Sequence, residues 1–290
     1  MIDPIAARSL AVVLVSYRTG PALHGAIASV LDEPLVAELA LVDNGNPPGA
    51  LDDLPADPRL TLITGHGNVG FAAGVHIGVT ATSAPLILIL NPDSVVPTGV
   101  LPALVTALAA EAEPWIASTL VVSSDGREQA GSRRRTATPW RAIGEALQLW
   151  RVPGLGRWRI SMVRERPVPT LQPVGALSGA FMLLSRRTWD ALGGLDRGYF
   201  LHVEDLDLCL RLHRRGGRCL VHGGLSVVHV KGTSDAPAWT VERHKIRGFR
   251  RYFGQHFPGL MAVLAVGVVA TALFVRTGLR AAAARVRPTR

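Results

Sequence analysis

The chain has 290 residues, of which 48% are hydrophobic and 18% are charged. This is enough apolar surface for one large α/β domain or two small ones, and too much for a disordered protein. Its two cysteines, Cys209 and Cys219, exclude a disulfide scaffold and a cysteine-built zinc site, and they suit a reducing compartment. We expect no secretory signal, because an acid and a proline precede the first apolar run and no small-residue cleavage site follows it.

The net charge of +9 is unevenly distributed along the chain. Residues 1–126 carry a net charge of −9, whereas 127–166 contains ten arginines against three acids, and 239–290 contains ten lysines and arginines against one acid. An acidic-to-neutral body with two basic stretches is therefore expected. Nucleic acid, a membrane surface and a diphosphate-bearing substrate are all partners that such stretches would suit.

The first 126 residues alternate strand-like and helix-like segments. Continuous apolar runs predict strands over 11–17, 38–44, 59–65 and 85–93, with helices over 23–30 and 70–82. Strands that are apolar on both faces and separated by helices are typical of a mostly parallel sheet flanked by helices. Ligands of such sheets bind at the carboxyl ends of the strands. Four polar residues fall there: Asp43, Asn44, Asn91 and Asp93.

The pattern weakens after residue 123 and returns near residue 174. The intervening segment is rich in Gly, Pro, Ser and Arg, with three tryptophans and one helix predicted near 140–150. The later elements are a strand and a helix start over 174–192, a loop and a helix over 193–216, strands over 218–232, a basic helix with aromatic residues over 241–257, and an uncharged apolar segment over 259–275.

Residues Gly65–Gly70 match G-x-G-x-x-G between a strand and a helix, which is the context of a dinucleotide-binding loop. Against this, another strand–helix unit with its own polar cluster precedes the motif, and Asp93, the acid that would bind a ribose, lies in a turn. A nicotinamide-dependent oxidoreductase therefore stays as an alternative. A purely structural use of these glycines, in a tight turn and close helix packing, stays beside it.

Two aspartates, Asp43 and Asp93, each follow an apolar strand. A single aspartate in a turn usually forms an Asx turn or a helix cap. Two on the ligand side of one sheet favour Mg²⁺ or Mn²⁺ held together with substrate phosphates. His229 ends a later strand; alone it would be structural, but beside carboxylates it becomes a candidate nitrogen ligand.

Glu204 and Asp205 begin the helix whose apolar face holds Leu206, Cys209 and Leu210. The helix dipole favours acids at this position, so helix capping explains them. Adjacent carboxylates can also repel each other and raise the pKa of one of them, which suits a general base. Both interpretations stay open.

Together these motifs resemble the family 2 glycosyltransferases, inverting enzymes of the GT-A fold, and within them the rhamnosyltransferase-like branch. The resemblance extends from about Leu10 to Ser234. It rests on motifs in the order of the family: VVLVSY, LVDNGN, GNVGFAAGVHIG, LILNPDS, and the block SGAFMLLSR, LGGLDRGYFLHVEDLDLCLRL and VVHVKGTS.

The resemblance implies roles for individual residues. Asp205, beside Glu204, would be the general base, and Asp93 with His229 would bind a divalent cation, Mg²⁺ or Mn²⁺. The residues implied in nucleotide-sugar binding are Ser16, Tyr17, Asp43, Asn44, Asn68, Gly70, Phe71, Asn91 and Asp93. Departures from the family pattern, which bear chiefly on the donor sugar, lie at Asn46, His76 and His202, and Asn91 stands in place of a second metal-binding acid.

The implied activity is metal-dependent, inverting transfer of a sugar, with rhamnose from dTDP-rhamnose as the first candidate. The acceptor would be a hydroxyl of a glycan or of a polyprenyl-diphosphate-linked sugar in cell-envelope polysaccharide synthesis. One base suffices for a single displacement, so no covalent sugar intermediate is expected. A non-catalytic sugar-nucleotide-binding protein at the membrane is a further alternative, and no nucleic-acid partner is expected.

Two regions are predicted: a GT-A domain over 1–238, whose irregular segment 127–173 faces the acceptor, and a basic and hydrophobic tail over 239–290. A helix over Gly259–Val275 would be about 26 Å long, just short of the roughly 30 Å hydrocarbon core. A spanning helix would carry five following arginines across, against the positive-inside tendency. We therefore expect the tail to associate with the cytoplasmic membrane face by shallow insertion, with a single span or a helix packed on the catalytic domain as alternatives.

Overall fold

The computed structural model describes residues 9–18, 20–230 and 238–286, without the side chains of residue 238 and of 280–286. The described chain forms two compact units. The first contains 9–136, 161–200 and 204–230, and the second contains 137–160, 201–203 and 238–286. The end of the last predicted motif, residues 231–234, lies outside the described residues.

The first unit is built on a nine-stranded sheet. Its strands are β1 (Leu10–Ser16), β2 (Val36–Asp43), β3 (Leu60–Ile63), β4 (Leu86–Leu90), β5 (Ser94–Val95), β6 (Trp115–Val122), β8 (Leu171–Val174), β10 (Phe181–Ser185) and β11 (Arg218–His229), while β7 (Arg133–Arg134) and β9 (Ala176–Leu177) form a separate pair. Strands β3, β2, β1 and β4 lie side by side and are mutually parallel. β1 and β4 are buried along their whole length, as their continuous apolar runs predict.

Beyond β4 the sheet becomes mixed. β10 runs antiparallel between β4 and β6, and β11 lies parallel to β6 but antiparallel to β5 and β8. The predicted parallel order therefore holds for the first four strands and for β6 with β11, whereas β10 runs in the opposite direction between β4 and β6. This insertion brings the segment before β10 beside the end of β4.

The helices of the first unit are α1 (Ala22–Leu31), α2 (Phe71–Thr80), α3 (Val100–Leu108), α5 (Arg186–Leu192) and α6 (Glu204–Arg214), and those of the second are α4 (Pro139–Ala146), α7 (Ala238–His256) and α8 (Leu260–Val286). The sequence predictions named neither α3 nor β6. Helix α2 lies close to the sheet. A Cβ at Gly74 would lie 2.8 Å from the Val15 side chain, and a Cβ at Gly78 would lie 2.4 Å from the Val13 side chain. Two glycines of the predicted motif therefore serve helix–sheet packing.

In the second unit, α4 and α7 both pack against α8. α4 lies where a helix was predicted, and short 3₁₀ turns follow it at Leu149–Arg151 and Gly156–Trp158. Part of the irregular segment thus groups with the tail, and the domain boundary at residue 238 stays a prediction. α8 extends beyond the apolar segment from which it was predicted.

Candidate active site

A side-chain network around Asp43 follows the end of β2. Asp43 Oδ1 accepts hydrogen bonds from the backbone N–H groups of Gly45 (2.9 Å) and Asn46 (2.8 Å) and from Asn46 Nδ2 (2.8 Å). Burial alone would raise the pKa of Asp43, but these hydrogen bonds outweigh it and the pKa lies below its ordinary value. All of these bonds reach Oδ1, so Oδ2 can accept a hydrogen bond from a ligand.

Ser16 and Tyr17, at the end of β1, lie beside this network. Ser16 Oγ donates to Asn46 Oδ1 (3.1 Å), and Asn46 Nδ2 donates to the Ser16 carbonyl (3.3 Å). The Tyr17 ring lies 3.7 Å from the position that a Cβ of Gly45 would take. Asn46, one of the departures from the family pattern, therefore joins the ends of β1 and β2 directly.

The loop before α2 is held by contacts within the protein. Asn44 Nδ2 donates to the Gly70 carbonyl (2.9 Å), and Asn68 Oδ1 accepts from the Gly70 N–H (3.1 Å). The Phe71 N–H donates to the Phe200 carbonyl (2.7 Å). Gly70 has φ +85°, and a Cβ there would lie 2.7 Å from the Phe200 carbonyl oxygen. Packing against Phe200 thus accounts for this glycine.

His76 lies away from that loop. Its Nε2 is 2.7 Å from the Leu195 carbonyl, and its ring packs 4.9 Å from Trp189. Burial lowers the pKa of His76, and the Arg197 and Arg211 charges lower it further. The residue therefore helps to hold the segment between α5 and α6.

Asp93 and His229 are brought together by the pairing of β5 with β11. His229 Nε2 lies 3.0 Å from Asp93 Oδ1 and 3.2 Å from Asn91 Nδ2. The Val230 N–H donates to the Asp93 carbonyl (2.9 Å), and Asp93 is buried. The two predicted metal ligands, separated by more than 130 residues of sequence, are therefore in direct contact.

Gln129 sets the orientation of His229, and the sequence analysis did not identify it. Gln129 Nε2 donates to the His229 carbonyl (2.7 Å), so Gln129 Oε1 accepts from His229 Nδ1 (3.0 Å). This places a proton on Nδ1 and directs Nε2 towards Asp93. An imidazole nitrogen held in this way beside a carboxylate oxygen suits the binding of a divalent cation.

Asp93 and His229 give this site two candidate protein ligands for a divalent cation. Among the described residues, no group of three or more His, Cys, Asp or Glu side chains is placed to hold a metal ion. Two protein ligands suit Mg²⁺ or Mn²⁺ when substrate phosphates and water complete the coordination.

Glu204 and Asp205 begin α6; Glu204 is buried, and the Asp205 side chain is 15% exposed. Asp205 Oδ2 accepts hydrogen bonds from Arg134 Nη2 (2.6 Å) and the Gly179 N–H (3.1 Å), and Oδ1 accepts from the Leu206 N–H (2.7 Å). Glu204 Oε2 is buried and has no partner among the described residues.

The pKa values of the Glu204 and Asp205 carboxyl groups are shifted in opposite directions. Burial, with the neighbouring Asp205 charge, raises the pKa of Glu204 to about 8. Burial would also raise the pKa of Asp205, but the Arg134 charge and the hydrogen bonds from Arg134 and Gly179 hold it below its ordinary value. One carboxyl pKa is raised, as adjacent acids predict, but it belongs to Glu204 and not to the residue implied as the base.

A single turn, residues 178–180, connects the two acid sites. The Gly179 N–H donates to Asp205, while the Ala180 carbonyl accepts from the Asn91 N–H (3.0 Å) and from Ser94 Oγ (3.4 Å). The turn immediately precedes β10, the strand inserted antiparallel beside β4. The sheet therefore positions both sites along one short segment.

Arg134 was also missed, although it lies in a run of three arginines. Each arginine has its own carboxylate: Arg133 pairs with Glu128 (2.8 Å), Arg134 with Asp205 (2.6 Å) and Arg135 with Glu165 (2.8 Å). The run therefore contributes less free positive charge to this region than its composition predicts.

Comparison with known proteins identifies relatives along most of the chain. Residues 7–251 match the model of the family described as "Glycosyltransferase like family 2". An N-acetylglucosaminyl-diphospho-decaprenol L-rhamnosyltransferase of Mycobacterium tuberculosis is 28% identical over 240 residues, which cover 78% of this chain and 77% of that protein. The low-salt glycan biosynthesis hexosyltransferase Agl10 of Haloferax volcanii is 24% identical over 219 residues, 73% of this chain and 65% of that protein.

Solved structures support the fold. The structure of GalNAc-T7 with UDP, GalNAc and Mn²⁺ aligns with a TM-score of 0.61 at 17% identity, over 89% of this chain and 54% of that one. The mannosyltransferase PcManGT of Pyrobaculum calidifontis, in complex with GDP-Man and Mn²⁺, aligns with a TM-score of 0.54 at 15% identity, over 99% of this chain and 78% of that one. The chain thus spans about half of GalNAc-T7. The predicted α/β fold of the GT-A type is confirmed.

Proposed function

This chain belongs to glycosyltransferase family 2 and is a glycosyltransferase, and we propose that it transfers a sugar from a nucleotide-sugar to a hydroxyl of a lipid-linked acceptor with inversion. One observation carries this proposal: a carboxylate–imidazole pair and a buried carboxylate pair adjoin one turn. The first pair suits a diphosphate with its cation, and the second suits proton removal. The nicotinamide-dependent oxidoreductase has no comparable support.

Rhamnose from dTDP-rhamnose is the proposed donor sugar, and a polyprenyl-diphosphate-linked N-acetylglucosamine is the proposed acceptor. The support is the rhamnosyltransferase relative, which is named for such an acceptor and covers most of this chain. A polyprenyl-diphosphate acceptor would place the reaction in cell-envelope polysaccharide synthesis.

Asp93 and His229 would hold a divalent cation, with Gln129 orienting the imidazole. A cation bound there supplies positive charge to the diphosphate leaving group. Asp43, through Oδ2, would bind the nucleoside, and Ser16, Tyr17, Asn44, Asn68, Gly70, Phe71 and Asn91 would line or shape the same edge.

Asp205 would act as general base in a single displacement. The acceptor oxygen forms a bond to the anomeric carbon, the bond from that carbon to the diphosphate oxygen breaks, and the hydroxyl proton moves to Asp205. The nucleoside diphosphate leaves with the electron pair of the broken bond. No covalent sugar–enzyme intermediate is needed.

The second unit would hold the enzyme at the cytoplasmic membrane face. Within the described residues, α8 contains a stretch long and apolar enough to cross a membrane, Leu260–Leu279, of which little is buried. The basic helix α7 packs against it, with Trp239 5.1 Å from Phe274 and Arg276 3.4 Å from Glu242. A span of α8 would draw the charged α7 into hydrocarbon, so we favour shallow insertion at the interface.

The acceptor would meet the enzyme near this interface. Thr138, Trp140, Arg141, Arg157 and Trp158 line a cavity of about 300 Å³ in the second unit. Tryptophan and arginine together suit the boundary between apolar chains and anionic headgroups. This supports the predicted role of the irregular segment on the acceptor side.

The test of the activity is a donor panel. Purified protein is incubated with Mn²⁺ or EDTA, a synthetic N-acetylglucosaminyl-diphospho-prenol, and dTDP-rhamnose, UDP-sugars or GDP-mannose. We expect an inverted rhamnosyl product from dTDP-rhamnose with Mn²⁺ only, measured by mass spectrometry and by the anomeric NMR coupling. A product formed from another donor would replace rhamnose as the proposed donor sugar. A retained anomeric configuration would contradict single displacement. The absence of a product with every donor would contradict the transferase activity.

Membrane binding is tested separately by sedimentation with vesicles that contain anionic lipid. Lysine replaces two exposed residues of α8, Val263 and Phe274, and the control replaces the exposed Leu147 of the same unit. We expect the double variant to lose vesicle binding while the control retains it. Equal pelleting of all three proteins would show that α8 is not the anchor.

A further inference from the structure

Among the described residues, Arg134 is the cationic side chain in contact with the acid pair at the start of α6. Arg134 Nη2 contacts Asp205 Oδ2 at 2.6 Å and also donates to the Leu177 carbonyl. Its side chain is 14% exposed and that of Asp205 is 15% exposed. The guanidinium reaches Asp205, whereas Glu204 Oε2 has no partner among the described residues. The guanidinium of Arg134 therefore forms a hydrogen bond with Asp205, and Glu204 Oε2 has no such bond.

The fold places Arg134 at this point through a short strand pair. β7 pairs antiparallel with β9, which sets Arg134 opposite Ala176 and Arg133 opposite Leu177. A Cβ at Gly175 would lie 2.0 Å from the Thr136 nitrogen, so glycine is needed for this close approach. The irregular segment thus delivers a charged side chain to the start of α6.

We propose that Arg134 is the positioning residue that makes Asp205, and not Glu204, the general base, by binding Asp205 Oδ2 together with the Gly179 N–H. This inference rests on the proposed function. Arg134 acts through Asp205 and needs no contact with substrate.

The physical reason is that two adjacent carboxylates cannot both stay ionised in a buried site without a counterion. The side chain bound to the guanidinium keeps its negative charge and can accept a proton. Its neighbour keeps a proton and is neutral. The hydrogen bonds from Gly179 and Leu206 also fix the orientation of the Asp205 carboxylate, and general-base catalysis requires both orientation and charge.

The other described titratable groups near the pair are acids, a tyrosine and cysteines, together with an arginine that is paired with Asp207. Asp207, on the same helix, is paired with Arg211 (2.7 Å) and contacts Tyr199 Oη (3.3 Å). Cys209 on α6 and Cys219 on β11 are buried, and burial raises the pKa of Cys219. Among these neighbours Arg134 is therefore the cation that sets the charge on Asp205.

The test compares the wild type with Arg134→Lys and Arg134→Gln, and uses Arg135→Gln as the matched control because Arg135 pairs with Glu165. The first measurement is kcat/KM against pH, with dTDP-rhamnose, Mn²⁺ and the synthetic lipid acceptor. We expect Arg134→Gln to move the acidic limb of the kcat/KM profile to higher pH by roughly one to three pH units. Arg134→Lys should move this limb less, and the control should leave it in place. A pH-independent loss of rate, or no shift, would overturn the inference.

A second measurement needs no turnover. In Arg134→Gln the acid pair lacks its counterion when ionised, so the loss in Tm relative to wild type should increase from pH 4 to pH 8. A loss that is constant over this range would overturn the inference. Wild-type inactivity with every donor would instead contradict the proposed function, and the Tm series would still decide the role of Arg134.

Discussion

The two acid sites of this enzyme differ in the side chain that contacts the carboxylate. At the edge formed by β5 and β11, Asp93 Oδ1 lies 3.0 Å from His229 Nε2. At the start of α6, Asp205 faces the guanidinium of Arg134. One carboxylate is thus paired with an imidazole ring and the other with a guanidinium group.

The difference indicates what each site binds. A carboxylate oxygen and an imidazole nitrogen that lie side by side can bind one divalent cation together. A carboxylate that already has a counterion gains nothing from a metal but keeps its charge for proton transfer. We therefore expect metal dependence to follow Asp93, and the pH dependence of turnover to follow Asp205.

The largest expected effect is that of Asp205→Asn on turnover. Loss of the base should lower kcat by roughly 10²–10⁴-fold, while calorimetry should detect donor binding within a few-fold of wild type. Asp190→Asn is the control, because Asp190 is exposed on α5. Retention of more than half the wild-type rate would remove Asp205 from the role of base.

Asp93→Ala and His229→Ala should instead weaken metal binding. We expect Mn²⁺ affinity, titrated by calorimetry with nucleoside diphosphate present, to fall by more than the roughly 10–100-fold that loss of an outer hydrogen-bond partner costs. The exposed Asp125→Ala is the control. Unchanged affinity in both variants would place the metal elsewhere.

The sequence predicted the parallel half of the fold because its strands are continuous apolar runs, which carry a strong local signal. It did not predict the insertion of β10 between β4 and β6, since the order of strands in a sheet depends on pairing between distant segments. The assignment as a glycosyltransferase is confirmed by the family match, and it rested on motifs rather than on periodicity.

The site was predicted only in part, because local patterns reveal some of its residues and distant contacts bring in the others. Asp43 and Asp93 follow strands, so the strand-end rule found them. Gln129 and Arg134 lie in a segment without periodicity, and each reaches the site through long-range hydrogen bonds. Repulsion between adjacent acids predicts that one pKa is raised, but only the position of Arg134 shows that it is Glu204.

Gln129→Ala should have a smaller effect than removal of either proposed metal ligand, Asp93 or His229. Without its Oε1, His229 Nδ1 loses the acceptor that fixes the ring and its tautomer. We expect Mn²⁺ affinity to fall by roughly 10–100-fold, whereas the position of the acidic limb in the pH profile of kcat/KM should not change. An equal loss in Gln129→Glu, which keeps the acceptor oxygen, would argue against orientation of the imidazole as the cause.

The smallest expected effect is that of Glu204→Gln, and it appears in stability. The pKa of Glu204 is raised to about 8 in the folded protein, against an ordinary value near 4.5, so between these pH values the folded state binds a proton that the unfolded state has released. Stability contributed by Glu204 therefore falls as pH rises through this window. A neutral glutamine does not titrate, so the Tm of Glu204→Gln minus that of wild type should increase from pH 5 to pH 8, by on the order of a few °C.

The exposed Glu113→Gln is the control. Because Glu204 is already neutral at pH 7, the variant should keep most of its transferase activity. A loss as large as that of Asp205→Asn, with no change in the Tm difference over this range, would assign the base to Glu204 instead.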